Sequence, residues 1–184
     1  MGIDPAIIQN TAELMRAEVL PRGGAAPTLK LDPVIIQKIA QKVPIFAGMS
    51  QPLLLKTLAT GEHFTVKAGE SVFREGDMGN SFYVLIAGDV AVEKLREGRA
   101  VELARLGPGE CFGEMALVGN DVRSATVRAL GHVVAMRFYR ELIDATPESA
   151  SIIYRNIARI LAARLGESSL QLAGLVRREA AKGG

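Results

Sequence analysis

Phe112-Gly113-Glu114-Met115-Ala116-Leu117-Val118-Gly119-Asn120-Asp121-Val122-Arg123-Ser124-Ala125-Thr126-Val127 is the stretch on which the reading of this chain turns, because polar chemistry interrupts an apolar, strand-like pattern there. Gly113 lets backbone approach a ligand with no Cβ in the way. Glu114-Met115-Ala116-Leu117 makes one helical turn whose free N–H groups face that ligand, and free N–H groups at a positive helix end suit a phosphate. Between Glu114 and Arg123 there is room for that turn, a reversal through Gly119-Asn120-Asp121, and a new strand from Ser124 to Ala129. Carboxylate and guanidinium then enter one pocket from two sides. A guanidinium fits two phosphate oxygens, and an ionised carboxylate only accepts, so it seeks a hydroxyl pair such as a ribose diol.

Outward from this stretch the side chains alternate with period two. Strands are expected at Glu62–Lys67, Ser71–Arg74, Ser81–Ala87, Asp89–Lys94, Val101–Leu106, Thr126–Ala129 and Val133–Phe138, with turns at Ala68-Gly69-Glu70 and Glu75–Asn80 and a hinge at Gly88. Many short strands separated by glycine-rich turns argue for a sandwich or jelly roll. Gly76, Gly79 and Gly88 then need positive φ or close packing rather than ligand contact.

Helices frame the roll. One is expected over residues 5 to 20, followed by a joint at Pro21-Arg22-Gly23-Gly24-Ala25-Ala26-Pro27. Asp32-Pro33 starts a second, Val34 to Gln41; Val43–Ser50 bends, and Ser50 with Pro52 opens a third through Leu58. Arg137–Asp144 begins another that pauses at Thr146-Pro147, and a long helix runs from Glu148 towards Arg178. Its stripe of Ile153, Ile157, Ile160, Leu161, Ala163, Leu165, Leu172 and Val176 outruns what the roll can cover, which invites a symmetric partner. The fold class expected is α+β: an antiparallel, jelly-roll-like β-roll of about eight strands flanked by N-terminal helices and a long C-terminal helix. The organisation expected is a helix and joint over 1–30, a helical lead plus roll over 31–146, and a C-terminal helix and tail over 147–184.

Composition excludes several classes. With 22 Lys and Arg against 20 Asp and Glu, the formal charge of +2 is far from the excess of a nucleic-acid binder, and 5% aromatic residues with no Trp leave few rings for stacking bases. No apolar run reaches a membrane span and no signal pattern opens the chain, so a cytoplasmic protein with no membrane partner is expected. Cys111 is the single cysteine and reads as a small buried filler. His63 and His132 fall on different strands without a Glu at motif spacing, so no metal and no cofactor is expected. No Ser/His/Asp or Cys/His arrangement appears, and the chain does not read as an enzyme.

The Phe112–Val127 stretch resembles the phosphate-binding cassette of the cyclic nucleotide-binding domain family, the module of protein kinase A regulatory subunits, cyclic nucleotide-gated channels and the bacterial catabolite activator protein. The run Glu75-Gly76-Asp77-Met78-Gly79-Asn80-Ser81-Phe82-Tyr83-Val84-Leu85-Ile86-Ala87-Gly88-Asp89-Val90-Ala91-Val92 resembles the family's second signature, and "VPIFAGMS" resembles its N-terminal helical part. By resemblance Glu114 holds the ribose 2′-hydroxyl and Arg123 the cyclic phosphate, with Gly113, Met115 and Ala116 in the cassette turn and backbone N–H groups from Gly113 and Ala116. The resemblance also implies that Val92 and Leu103 wall the purine, that the segment Ala163-Arg164-Leu165 with Ser168 and Ser169 approaches the base across a dimer, and that the C-terminal helix forms a homodimer seam.

Ser124 follows the arginine as in the catabolite activator group, which favours cyclic AMP over cyclic GMP; cyclic di-GMP is a further alternative. Val122 stands where some members carry proline. The implied role is a sensor that moves its helices to signal to a protein effector not identified by any motif. The Leu175–Gly184 tail leaves no room for a helix-turn-helix, so no direct nucleic-acid contact is expected.

Overall fold

Alternating apolar runs build two four-stranded sheets in the computed structural model, which describes residues 39–182, the side chains at 171 and 175–182 apart. The first sheet runs in the order β1 (Glu62–Val66), β8 (Val133–Tyr139), β3 (Ser81–Ala87), β6 (Cys111–Phe112). The second runs β2 (Ser71–Phe73), β7 (Thr126–Ala129), β4 (Val90–Arg96), β5 (Arg99–Leu106). All pairings are antiparallel, so the α+β, jelly-roll-like architecture of eight strands expected from the spacing is the one observed.

Strand β3 is apolar almost throughout because both of its faces are covered. Phe82, Val84 and Ile86 join a core shared with the helices, whereas Tyr83 and Leu85 point into the roll. Its neighbour β8 divides in the same way, with Val134, Met136 and Phe138 towards the helices and Val133 and Ala135 towards the roll. Phe138 stacks on Phe82 and meets Phe46 edge to face. One sheet therefore separates two hydrophobic layers.

Helical residues Ile39–Lys42, a 3₁₀ turn Pro44–Phe46, helix α1 (Gln51–Leu58) and the start of a long helix cover that sheet. Between β6 and β7 lies a single turn of helix, α2 (Met115–Val118); α3 (Arg140–Asp144) and the long α4 (Pro147–Lys182) follow β8. Ile153 and Ile157 on α4 are fully buried, worth roughly 1.5–3 kcal/mol each. Asn156 Nδ2 donates to the carbonyls of Ile45 and Ala47 at 3.0 and 2.8 Å, and the Thr57 and Ser149 hydroxyls meet at 2.8 Å. The first turns of α4 are thereby fixed to the helical lead.

Three expectations are corrected. The helix predicted from Arg137 begins at Arg140, because β8 keeps its alternation as far as Tyr139, pairing Ser81 with Tyr139 and Phe82 with Phe138. Cys111–Phe112 forms a two-residue strand against Tyr83 and Val84, too short to leave a periodic signal. Strands β4 and β5 extend into a two-residue hairpin turn, Glu97-Gly98, with φ of 49° and 77°, the all-positive pair that suits a right-twisted ribbon. The helix expected over residues 5 to 20, the joint at 21–27 and most of Val34–Gln41 lie outside the described residues.

Candidate functional site

Arg123 follows an isolated bridge between Met78 and Val122 and precedes β7. Its backbone N–H donates to the Asp77 carbonyl at 2.8 Å and its own carbonyl accepts from Gly76 at 2.9 Å, which seats the residue against the β2–β3 turn. The side chain turns inward and is only 4% exposed. Nη1 donates to the carbonyls of Ser81 at 2.7 Å and Gly113 at 2.8 Å, and Nη2 to the Ser81 hydroxyl at 3.2 Å. The guanidinium lies 4.2 Å from the centroid of Phe73.

Two glycines make room for this arginine. A Cβ on Gly113, whose φ is +80°, would stand 2.6 Å from Nη1, and a Cβ on Gly79 would stand 2.2 Å from Nε. Gly79 is thus required by close packing against the cassette arginine, while Gly76 and Gly88 take positive φ at corners of the roll. Arg123 Nε is buried with no acceptor, and among the described residues no carboxylate lies within ion-pair distance of the guanidinium. Burial pushes its pKa down, the Tyr83 ring system and Glu114 acting the other way. A buried cation without a counter-charge is costly, so the site is electrostatically incomplete.

Glu114 stands at the start of α2, with no side-chain capping bond to it, and is 1% exposed. It does not pair with Arg123. Its Oε1 accepts from Arg164 Nη1 on α4 at 2.5 Å, and Arg164 Nη2 donates to the Cys111 carbonyl at 2.8 Å. Burial raises the Glu114 carboxyl above its ordinary value, and Arg164 only partly offsets that. Burial likewise pushes the Cys111 thiol up to about 12, in keeping with a filler rather than a nucleophile.

The α2 turn is held from the far side by Arg140, which donates to the Ala116 carbonyl and to the Asp121 carboxylate. Asp121 adopts φ of 62° and reverses the chain after α2. The Ser124 hydroxyl donates to Met115 Sδ at 3.2 Å, a weak acceptor that leaves it easily recruited.

Of the residues selected from sequence, Gly113, Glu114, Met115, Ala116, Arg123, Ser124 and Val92 line one cavity. Leu103 does not; it is 57% exposed on β5. Val92 pairs with Ala104 and Glu93 with Glu102, so Leu103 is the extra residue of a bulge and turns outward. Leu106 takes the apolar place beside Val92, together with Phe73, Phe112, Ala125 and Val127. Alternation along β5 puts residues 103 and 106 on opposite faces, but which of the two turns inward is set by the bulge in the register with β4. Ser168 and Ser169 lie farther along α4, exposed and away from the cavity, with Ser169 Oγ donating to the Leu165 carbonyl at 2.9 Å. Arg164, expected near the base, instead grips Glu114 within the same chain. The cavity's free volume of about 60 Å³ holds a few waters and is too small for a nucleotide, with Arg164 among its lining residues.

Among the described residues no group of three or more His, Cys, Asp or Glu could hold a metal, and no helix is long and apolar enough to cross a membrane.

Residues 63–149 match the protein-family model of the Cyclic nucleotide-binding domain. The Cyclic AMP receptor protein of Thermus thermophilus is 32% identical over 130 residues, covering 70% of this chain and 60% of that protein. The crystal structure of the Thermus thermophilus Catabolite Activator Protein matches with a TM-score of 0.65 at 32% identity, over 72% of this chain and 62% of that one. Glutaminase 2 of Bradyrhizobium diazoefficiens is 44% identical over 115 residues, 59% of this chain but only 17% of that protein. The chain spans part of each of these relatives.

Proposed function

Because residues 63–149 belong to the cyclic nucleotide-binding domain family, we propose that the chain is a cyclic nucleotide sensor, with cyclic AMP its preferred ligand, and that it signals by moving helices rather than by catalysis. The observation that carries this reading is Arg123: a buried guanidinium held between two glycines, with an unpartnered Nε and no carboxylate counter-ion among the described residues. A cyclic phosphate supplies the missing charge. Ser124 gives a hydroxyl to the same phosphate, and the α2 turn gives backbone N–H groups. Glu114, ionised, accepts from the ribose 2′-hydroxyl. Val92 and Leu106 form the apolar wall against the base.

Ribose and Arg164 compete for one carboxylate, so binding withdraws Glu114 from α4. That exchange is the step by which the cavity opens and α4 is repositioned. Moving such an equilibrium from 1:99 to 99:1 takes about 5.5 kcal/mol of preferential binding. Beyond Arg164, α4 exposes Leu165, Leu170 and Leu172 at 69%, 75% and 64%. A second copy of this helix covers those leucines, and in that dimer Ser168 and Ser169 reach the partner's base. An effector protein receives the change.

Thermal shift of the chain against cyclic AMP, cyclic GMP and cyclic di-GMP tests the reading. The largest stabilisation is expected with cyclic AMP; a larger shift with cyclic di-GMP supports a sensor for the bigger nucleotide. A second reading, a sensor segment of a longer regulator, is supported by the 17% and 60% of relatives that the chain spans. The ligand is the same in both.

A further inference from the structure

Two arginines grip the hydroxyl of Ser81. Arg123 Nη2 donates to Ser81 Oγ at 3.2 Å from the cassette, and Arg137 Nε donates to the same oxygen at 3.2 Å from β8. Ser81 is fully buried. A hydroxyl oxygen has two lone pairs and one proton, so two guanidinium donors fill its accepting capacity and leave the proton to be given away. Among the described residues no acceptor takes it.

Arg137 is half-buried, 4.3 Å from the Tyr139 ring centroid and 5.7 Å from that of Tyr83, which lies 6.0 Å from Arg123 as well. Neither arginine has a carboxylate within ion-pair distance among the described residues. Glu62 stands opposite Arg137 across β1 and β8 but interacts with Tyr139. Two positive charges thus share one buried hydroxyl and one aromatic ring. The charge of Arg137 adds to burial in disfavouring the charged form of Arg123. This arrangement repels itself until an anion arrives.

We propose that Arg137 is a positioning residue of the phosphate site: through the Ser81 hydroxyl it sets where the Arg123 guanidinium sits, and it adds a second positive charge for the phosphate to neutralise. The proposal rests on the cassette binding a cyclic nucleotide. It explains why an arginine outside the cassette reaches the same oxygen as the cassette arginine. It also assigns Ser81 a part that its place in an apolar strand does not reveal.

Calorimetric titration with cyclic AMP of the full chain and of Arg137→Met, Arg137→Lys, Ser81→Ala and the Arg137→Met/Ser81→Ala double variant tests this at two ionic strengths. Arg137→Met is expected to weaken binding about tenfold, equivalent to about 1.4 kcal/mol, and to flatten its salt dependence. Arg137→Lys restores part of the loss. The melting temperature without ligand stays level or rises, because a like-charge contact is gone. In the Ser81→Ala background, Arg137→Met costs less than about twofold more, as expected for groups acting through one atom.

Undiminished affinity in Arg137→Met overturns the proposal, and so does the full tenfold cost in the Ser81→Ala background. A lower melting temperature with an unchanged ligand-induced shift reduces Arg137 to a packing role. If wild type binds and Arg123→Ala does not while Arg137→Met matches wild type, only this proposal falls. If wild type fails to bind any cyclic mononucleotide, the underlying reading falls with it.

Discussion

The cassette and the distal half of α4 differ in how far one copy of the chain completes them. In the cassette, Arg123, Glu114 and Ala116 are all 4% exposed or less, and backbone carbonyls, Arg164 and Arg140 hold them from several sides. On distal α4, large apolar side chains stand in solvent: Leu165 at 69%, Leu170 at 75%. The cassette is finished in shape and unfinished in charge; the helix is finished in backbone and unfinished in packing. On the proposed function, a small anion fills the first deficit and the apolar surface of a second copy the second.

That contrast breaks most sharply at Arg123. Arg123→Ala is expected to cost about 3–5 kcal/mol of cyclic AMP affinity, because the buried phosphate loses its nearest counter-charge. The unliganded melting temperature should change less than affinity does, because relief of an uncompensated buried charge opposes the loss of the bonds to Ser81 and Gly113 and of the contact with Phe73. A large fall in stability with intact affinity would show the cassette to be a structural device.

Glu114→Gln comes next. It keeps the shape but removes the charge-assisted bond, for an expected loss of about 1.5–3 kcal/mol in affinity. It also frees Arg164, so quenching of a probe on α4 should show the helix partly released without ligand. Undisturbed α4 mobility would separate that helix from the cassette.

The distal helix sharpens the comparison from the other side. Replacing Leu165 and Leu172 with Glu is expected to turn a dimer into a monomer in sedimentation experiments. The stability of the monomer should change by no more than about 0.5 kcal/mol, because both side chains are already exposed. A wild-type monomer at all concentrations would remove the dimer and with it the trans role of Ser168 and Ser169.

The smallest effect expected is on pH. Glu114 is raised by burial, so its contribution to unliganded stability is present below the ordinary carboxylate range and is lost as pH rises through the raised value. Binding has the opposite sign, because only the ionised group accepts from the ribose. Cyclic AMP affinity should therefore fall as pH drops through that raised value, and Glu114→Gln should abolish the dependence.

Much of this was legible in the sequence for physical reasons. Alternation located β3 and β7 to the residue, because their faces meet different layers, and glycine spacing located the corners. Gly113, Glu114 and Arg123 could be grouped from the sequence because they fall in one short stretch that resembles a known cassette, and they line one cavity. Leu103 misled because its outward turn depends on a bulge set by the register with β4, which one strand's sequence does not encode. The grip of Arg164 on Glu114 and of Arg137 on Ser81 joins residues far apart in the chain, and no spacing rule connects them.

Calorimetric titration of the wild-type chain with cyclic AMP tests the central claim most directly. A saturable isotherm with one site per chain, abolished in Arg123→Ala, is the result predicted. No heat and no thermal stabilisation at millimolar cyclic AMP, or binding that Arg123→Ala leaves intact, would contradict it.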